Sequence, residues 1–452
     1  MRELQLKLKL KSFTYPQMIA LGYLIVITIG TLLLSLPLAN YNHQSPGIFN
    51  ALFTATSATC VTGLIVFDTY TQWSLFGQLV ILLLIQIGGL GFMTIITMFS
   101  FLLKRKIGLK ERGLLRECVN TIYIGGVVRL TKRILLGTLL FEGLGAVILA
   151  IRFIPKMGIA AGIYNGIFHA VSAFCNAGFD LMGRYGQYSS LTAYASDAVV
   201  CFTIMLLIII GGIGFFVWDD LAKNKFYVNR YQLHTKIVLA ATISLIMAGS
   251  LSFFLLERNN LFAHLGVGEQ IIASFFAAVT PRTAGFNTVE VAALAPASKL
   301  LTMVLMFIGG SPGSTAGGIK TTTFAVILIS LWSSLKNARS ENIFGRRLEE
   351  NALRRASAVV SFNLLLVFSA VLLISATNVS VPLSNVLFEV LSALGTVGLS
   401  VGATSIFNPG ARLVLVLLMY CGRVGSISFA LLFTEHLKPS SVQKPTAKIS
   451  IG

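Results

Sequence analysis

Long apolar runs alternate with short runs of small and hydroxylated residues, and the alternation occurs four times along the chain. The first repeat predicts a span over Tyr15–Leu36, a short helix over Gly47–Thr59 and a second span over Ser74–Leu103. The second predicts Thr131–Ile154, Ala161–Phe174 and Ala193–Trp218, and the third Thr235–Leu256, Gly268–Thr280 and an interrupted Ser298–Leu335. The fourth predicts Ala356–Ala376, Pro382–Leu394 and Arg412–Leu432. The outer runs reach the ~20 residues that cross a hydrocarbon core, whereas the middle runs are too short.

Each short run ends in one signature: TATSATCVTGL (Thr54–Leu64), HAVSAFCNAGF (His169–Phe179), AAVTPRTAGFN (Ala277–Asn287) and EVLSALGTVGLS (Glu389–Ser400). Aligned on Gly63, Gly178, Gly285 and Gly398, they place a Phe ten residues upstream every time, at Phe53, Phe168, Phe275 and Phe388. A Ser stands six residues upstream in three of them (Ser57, Ser172, Ser392), and Val279 in the other. The anchors are 115, 107 and 113 residues apart, a fourfold internal repeat. Bare backbone at membrane depth is tolerated only where it lines a water- or ion-filled path.

The expected fold is therefore all-α and integral to the membrane. Eight transmembrane spans and four re-entrant pore helices surround one pseudo-fourfold axis. A cytoplasmic arm (1–13) precedes repeats over 14–110, 111–230, 231–350 and 351–437, and a cytoplasmic tail (438–452) follows. The ion filter falls on Val61-Thr62-Gly63, Asn176-Ala177-Gly178, Thr283-Ala284-Gly285 and Thr396-Val397-Gly398. Glycine suits this place because the strand needs backbone angles that a Cβ penalises, and its carbonyls then replace a cation's hydration shell.

A second motif recurs in the later run of each repeat: IGGLGF (Ile87–Phe92), IGGIGF (Ile210–Phe215), IGGSPG (Ile308–Gly313) and CGRVGS (Cys421–Ser426). Its first glycine lies 25, 33, 24 and 24 residues beyond the filter glycine. In the first two repeats small-residue packing between spans explains it. In the third, Gly309-Gly310-Ser311-Pro312-Gly313-Ser314-Thr315-Ala316-Gly317-Gly318-Ile319-Lys320 interrupts an apolar segment and predicts a mobile loop beneath the filter that gates conduction. In the fourth, Arg423 replaces the second glycine at a depth where an ionised side chain must face a polar interior. It reads as a barrier to cations that also anchors the loop, against a structural ion pair. Lys320 has two readings, as part of the gate or as a side chain reaching toward the cytoplasm.

Composition narrows the class. Of 452 residues 55% are hydrophobic and 12% charged, about half the charge of an ordinary soluble chain. The net charge of +18 is explained by insertion, because 26 of the 35 Lys and Arg fall in the arm, the tail and the linkers on their side. Nucleic acid is thereby excluded as a partner, and both termini are placed in the cytoplasm with membrane lipid around the spans. The basic start MRELQLKLKLK runs straight into the first span and lacks the pattern of a cleavable signal peptide.

No catalytic chemistry is present in the motifs. Gly313–Thr321 approaches a phosphate-binding loop, but Ile319 separates Gly318 from Lys320 and the flanks are apolar spans. His169 and His436 form no metal-ligand pattern, and the five cysteines, with Cys60 and Cys175 in matching places, indicate no disulfide framework. Glu142 and Glu389 read as hydrogen-bonded structural groups. Asp68 and Asp180 follow their filter glycines and are either cation-concentrating mouth residues or solvated loop carboxylates.

The filter signatures, the glycine-rich break and the arginine of CGRVGS resemble the Trk/Ktr/HKT superfamily of potassium transporters, and within it the membrane subunits of bacterial Ktr systems. The resemblance covers Tyr15 to Leu437. It implies potassium uptake across the plasma membrane by a non-enzymatic, gated pore, with sodium as a second candidate ion and no cofactor in this chain. It also implies a homodimer of separate pores on a cytoplasmic ring of nucleotide-binding RCK-type regulatory subunits, where ATP and ADP act. Gly63, where sodium-selective plant members carry Ser, favours potassium. The alternative is a symporter coupling potassium to sodium or protons by alternating access, a mechanism that places broken helices in paired repeats. The sequence breaks only the third repeat strongly.

Overall fold

The structure, a computed structural model, describes residues 14–91, 94, 97, 108, 112–115, 126–225, 227–336, 342–349 and 351–425. The N-terminal arm, the C-terminal tail, His436 and Cys118 lie outside the described residues. In chain order the helices of ten or more residues begin with α1 (Tyr15–Ser35), α2 (Ile48–Thr59) and α3 (Leu75–Leu90). They continue with α4 (Val127–Met157), α5 (Ile159–Phe174), α6 (Ala198–Gly212) and α7 (Phe215–Asn224). Then come α8 (Leu233–Glu257), α9 (Val267–Val279), α10 (Pro296–Phe307) and α11 (Thr321–Leu335), and finally α12 (Ala352–Thr377), α13 (Leu383–Gly395) and α14 (Pro409–Val424).

Among the described residues four helices, α1, α4, α8 and α12, are long and apolar enough to cross a membrane. They bury a narrow stripe and leave large apolar side chains exposed on the other face. In α1, Tyr23, Ile27, Gly30 and Leu34 face inward while Leu24, Ile25, Ile29 and Leu32 face outward. Such an outer face is the surface a bilayer covers. Each long helix packs on the short helix that follows it: α1 on α2, α4 on α5, α8 on α9 and α12 on α13.

The third helix of each set reaches the short helix of the next. α3 packs on α5, α6 on α9, α10 on α13, and α14 returns to α2, closing a ring. The apolar cores lie at these seams. One joins Ile27, Phe53 and Leu64 to Val390, Leu415 and Met419, and another joins Met306 and Val291 to Phe388 and Val397.

The helix that opens the later apolar run of each repeat ends before the run does, where continuous spans were expected in three of them. α3 stops at Gly91 and α14 at Gly425, while α6 and α7 are bent by 95° about Gly214. A long loop separates α10 from α11. Three of the breaks share a cause: Gly91, Gly214 and Gly425 take φ values of 81°, 97° and 95°, open to glycine, whereas α10 ends earlier, at Phe307. A short hairpin pairing Asn342–Ile343 with Arg346–Arg347 also departs from the all-helical expectation. Its turn residues Phe344 and Gly345 both have positive φ (49° and 73°), the geometry that favours two-residue turns.

The first glycine of the second motif sets the distance between helices. An added Cβ would lie 2.1 Å from Thr59 O at Gly88, 2.0 Å from Phe174 O at Gly211 and 2.2 Å from Leu394 O at Gly422. Those carbonyls all stand four residues before a signature glycine. Gly309 faces the loop instead, 2.5 Å from Gly317 O by the same construction.

Gly211→Ala must push α6 off the end of α5, a backbone contact that cannot yield cheaply, at a cost of about 1–3 kcal/mol. Gly143, within α4, has nothing within 4 Å of an added Cβ, so Gly143→Ala should be neutral or stabilise by roughly 0.5–1 kcal/mol. Thermal unfolding of the two purified variants in detergent checks this: Tm should fall only in Gly211→Ala.

Candidate ion pathway

The four short helices deliver their C-terminal ends to one place. After each helix one residue adopts positive φ: Val61 (57°), Asn176 (59°), Thr283 (74°) and Thr396 (52°). Two residues later the signature glycine does so again, at 90°, 71°, 80° and 90° for Gly63, Gly178, Gly285 and Gly398. These strained turns bring the segments edge to edge. An added Cβ would lie 2.4 Å from Ala177 O at Gly63, 2.6 Å from Ala284 O at Gly178, 2.5 Å from Val397 O at Gly285 and 2.2 Å from Thr62 O at Gly398. The fourth contact returns to the first segment, so the four triplets singled out by sequence form one closed cycle.

Hydrogen bonds from the short helices hold each turn. Ser57 O accepts from Thr62 N at 2.8 Å, Ser172 O from Ala177 N at 2.7 Å and Ser392 O from Val397 N at 2.8 Å. The Ser57 and Ser392 hydroxyls accept from the amides of Gly63 and Gly398, both at 3.1 Å, whereas Ser172 Oγ donates to Phe179 O at 2.6 Å. In the third repeat Thr280, and not Val279, does this work. Its carbonyl accepts from Ala284 N at 3.0 Å and its hydroxyl donates to Phe286 O. Likewise Phe276, not Phe275, is the fully buried ring. The third turn is one residue shorter than the others, so counting back from its glycine lands one place too early.

One side of the cycle opens into a cavity of about 480 Å³ lined by all four glycines, with Asp180 and Glu290 in its wall. Asp180 accepts from Met182 N at 2.9 Å. Burial first, and then the nearby Asp68 charge, push its carboxyl up to about 7 against that bond. Asp68 does not line the cavity. It caps a turn, accepting from Tyr70 N (3.1 Å) and Thr71 N (2.9 Å), and it takes Tyr188 N of the next repeat at 3.0 Å.

The other side is covered by residues 309–320. Gly317 sits beneath the fourth segment, where an added Cβ would lie 2.1 Å from Thr396 Oγ1, a buried hydroxyl with no hydrogen-bond partner among the described residues. Thr315 Oγ1 donates to Phe174 O at 3.1 Å, at the end of α5. Arg423 binds the loop from the side: its guanidinium donates to Thr315 O and also to Gly88 O and Gly89 O, the last at 3.0 Å. It thus joins the loop to the C-terminal end of α3, where helix carbonyls carry partial negative charge. Lys320 does not extend away; its ammonium donates to Ala316 O (2.8 Å) and Gly317 O (3.3 Å). These contacts bring Arg423, Lys320 and the loop together.

Glu389, Glu142, His169 and Arg282 each make side-chain hydrogen bonds. Glu389 accepts from Ser400 Oγ and Thr404 Oγ1, both at 2.6 Å, and from Val401 N at 3.0 Å. Glu142 accepts from Gln86 Nε2 at 3.2 Å. His169 donates from Nδ1 to Asn165 O at 2.8 Å and accepts from Leu181 N at 3.4 Å. Arg282, within the third signature, is buried beside the third turn and donates to Thr242 Oγ1 at 3.3 Å.

A family model described as TrkH, a cation transport protein, matches residues 5–444. The chain is 40% identical over 447 residues to the Ktr system potassium uptake protein B of Bacillus subtilis, covering 98% of both chains. It is also 40% identical over 449 residues to the potassium/sodium uptake protein NtpJ of Enterococcus hirae, again covering 98% of each. The crystal structure of the potassium transporter TrkH from Vibrio parahaemolyticus shares the fold, with a TM-score of 0.71 at 20% identity over 95% of this chain and 86% of that one.

Arg423→Ala removes every bond from this side chain to the loop, whereas Arg423→Lys keeps the charge but loses the planar fork that reaches several carbonyls at once. Hydrogen exchange of the 309–320 amides should quicken in the order wild type, Lys, Ala. Ion flux through protein reconstituted in liposomes should rise in the same order. A collapse of flux in both variants with loss of folded protein would make Arg423 structural instead.

Proposed function

Because the chain belongs to the TrkH family of cation transport proteins, we propose that it takes potassium into the cell through the four-glycine cycle. It does so as the ion-translocating subunit of a Ktr-type system. The observation that carries this reading is the cycle itself: four backbone segments meeting with carbonyl oxygens where side chains would be. Such oxygens replace the hydration shell of a cation. The funnel-like cavity on one side supplies ions, and Asp180 and Glu290 in its wall favour positive charge. The cargo follows the relatives' names, potassium for the Bacillus protein and potassium or sodium for the Enterococcus one.

On this reading the eight apolar runs cross the plasma membrane, the four short helices are re-entrant pore helices and both termini face the cytoplasm. The 309–320 loop is the gate, closed by Arg423. The protein is not an enzyme. It works as a homodimer on a cytoplasmic ring of nucleotide-binding regulatory subunits, and ATP and ADP act there. A second reading, alternating access with sodium or proton coupling, is favoured by the breaks between α6 and α7 and between α10 and α11. Single-channel recording separates the two, since unitary currents far above carrier turnover belong to a pore.

Gly63→Ser tests the filter. Its Cβ would press on Ala177 O, a backbone atom, from a residue at φ 90°. Discrimination of potassium over sodium should fall by about tenfold, a shift of ~1.4 kcal/mol in relative barrier. Uptake of rubidium and sodium into liposomes measures it, and an unchanged ratio in folded protein would refute the assignment.

Deleting Ser314 to Gly317 tests the gate. The deletion removes the Thr315 bonds to Arg423 and Phe174 and the Gly317 contact under Thr396. Flux through correctly inserted protein should rise several-fold, and less of it should depend on a regulatory subunit. Unchanged or abolished flux would make the segment a structural linker.

A further inference from the structure

The loop is held in a second place, far in sequence from Arg423. α6 ends at Gly212 and α7 begins at Phe215 after the 95° bend, so this elbow exposes the last carbonyls of one helix and the first amide of the next. Neither has an intrahelical partner. The loop takes both. Ser311 N donates to Gly212 O at 3.0 Å, Thr315 N donates to Gly211 O at 3.3 Å, and Gly313 O accepts from Phe215 N at 2.7 Å. No side chain fits between: at Gly214, φ 97°, an added Cβ would lie 2.6 Å from Pro312 O.

The elbow is itself braced. Trp218 Nε1 donates to Ile210 O at 2.9 Å, satisfying another carbonyl at the end of α6, and its ring packs edge-on against Phe215 and Phe141. Further along α7, Asp219 pairs with Lys223 and with Arg133 of α4, while Asp220 accepts from Gln232 N at 2.9 Å, just before α8. α7 is thus a short rod with one end on the loop and the other tied to two spans.

We propose that the α6–α7 elbow is a latch that positions the 309–320 loop in its closed place, and that tilting α7 releases it. This rests on the reading of the loop as the gate. A tilt that withdraws Phe215 N from Gly313 O opens the loop on a side that Arg423 does not hold.

The latch can be tested one hydrogen bond at a time. Phe215 is the first residue of α7, a position where proline is accommodated and only the free N–H is lost. Phe215→Pro and Phe215→Ala both lose the ring, but only the former loses the donor to Gly313 O. Rubidium uptake by full-length protein in liposomes, normalised to inserted protein, should be about fivefold higher in Phe215→Pro than in Phe215→Ala, the shift commanded by one backbone hydrogen bond. Gly214→Ala, which keeps every donor but presses on Pro312 O, should also raise uptake, and it decides the matter if Phe215→Pro does not insert. The Ser314–Gly317 deletion runs alongside. If the deletion raises uptake while Phe215→Pro matches Phe215→Ala, or Gly214→Ala matches wild type, the latch is overturned and the gate stands. If the deletion also leaves uptake unchanged, the gate reading fails and the latch with it.

Discussion

Four carbonyl oxygens lie where four glycine side chains would otherwise be, and the rest of the fold serves that constraint. Each contact is backbone against backbone, so neither partner can swing aside as a side chain would. The segments must therefore arrive at one axis in one register. Short helices ending in a hydroxyl residue achieve it, because the hydroxyl and the carbonyl of that residue hold the turn by bonds at six or fewer residues' distance in three repeats. In an apolar surrounding such unpaired backbone groups would be costly. Here helix ends supply the partners.

The second glycine motif follows from the first. For the short helices to converge, the later run of each repeat must lie against their C-terminal ends, and the glycines at 88, 211 and 422 allow approach to a carbonyl with no Cβ between. Having passed this point, the run turns at a further glycine. The third repeat departs from this scheme. Its Gly309 meets the loop instead of the end of α9, and the residues that would have continued the helix fold under the cycle. In the proposed function one repeat has thus become the gate while the other three remain the frame.

Arg423 shows how a half-buried charge is held by backbone carbonyls, with no acid paired to it among the described residues. Its bonds go to three backbone carbonyls, two at the C-terminal end of α3 and one in the loop. Desolvating a guanidinium is expensive, and a helix end offers partial negative charge where its unpaired carbonyls converge. The charge therefore lies where helix and loop meet and holds both. In the proposed function the same charge faces a permeating cation, so its place in the closed state combines tethering with repulsion.

The repeat period, the four signature glycines, the glycine-rich loop and the unusual arginine were all legible in the chain. Apolar run length and small-residue spacing are local properties, repeated often enough to stand out. The one-residue shortening of the third turn was not legible, because Val279 and Thr280 are adjacent and only the bond to Phe286 O distinguishes them. Nor were the breaks at Gly91, Gly214 and Gly425, since a glycine within an apolar run packs or turns depending on what lies beside it. Asp68 stands as near its glycine in sequence as a mouth residue would, yet it caps a turn and binds the neighbouring repeat. By itself the sequence determined that one signature recurs four times and which glycines anchor it. The tertiary structure alone decided the closure of the cycle, the partners of Arg423 and Lys320, and the hold of the α6–α7 elbow on the loop. Apart from those of Lys320, whose partners lie three and four residues away, these contacts join residues about a hundred or more positions apart, and no local pattern encodes a neighbour met only through space.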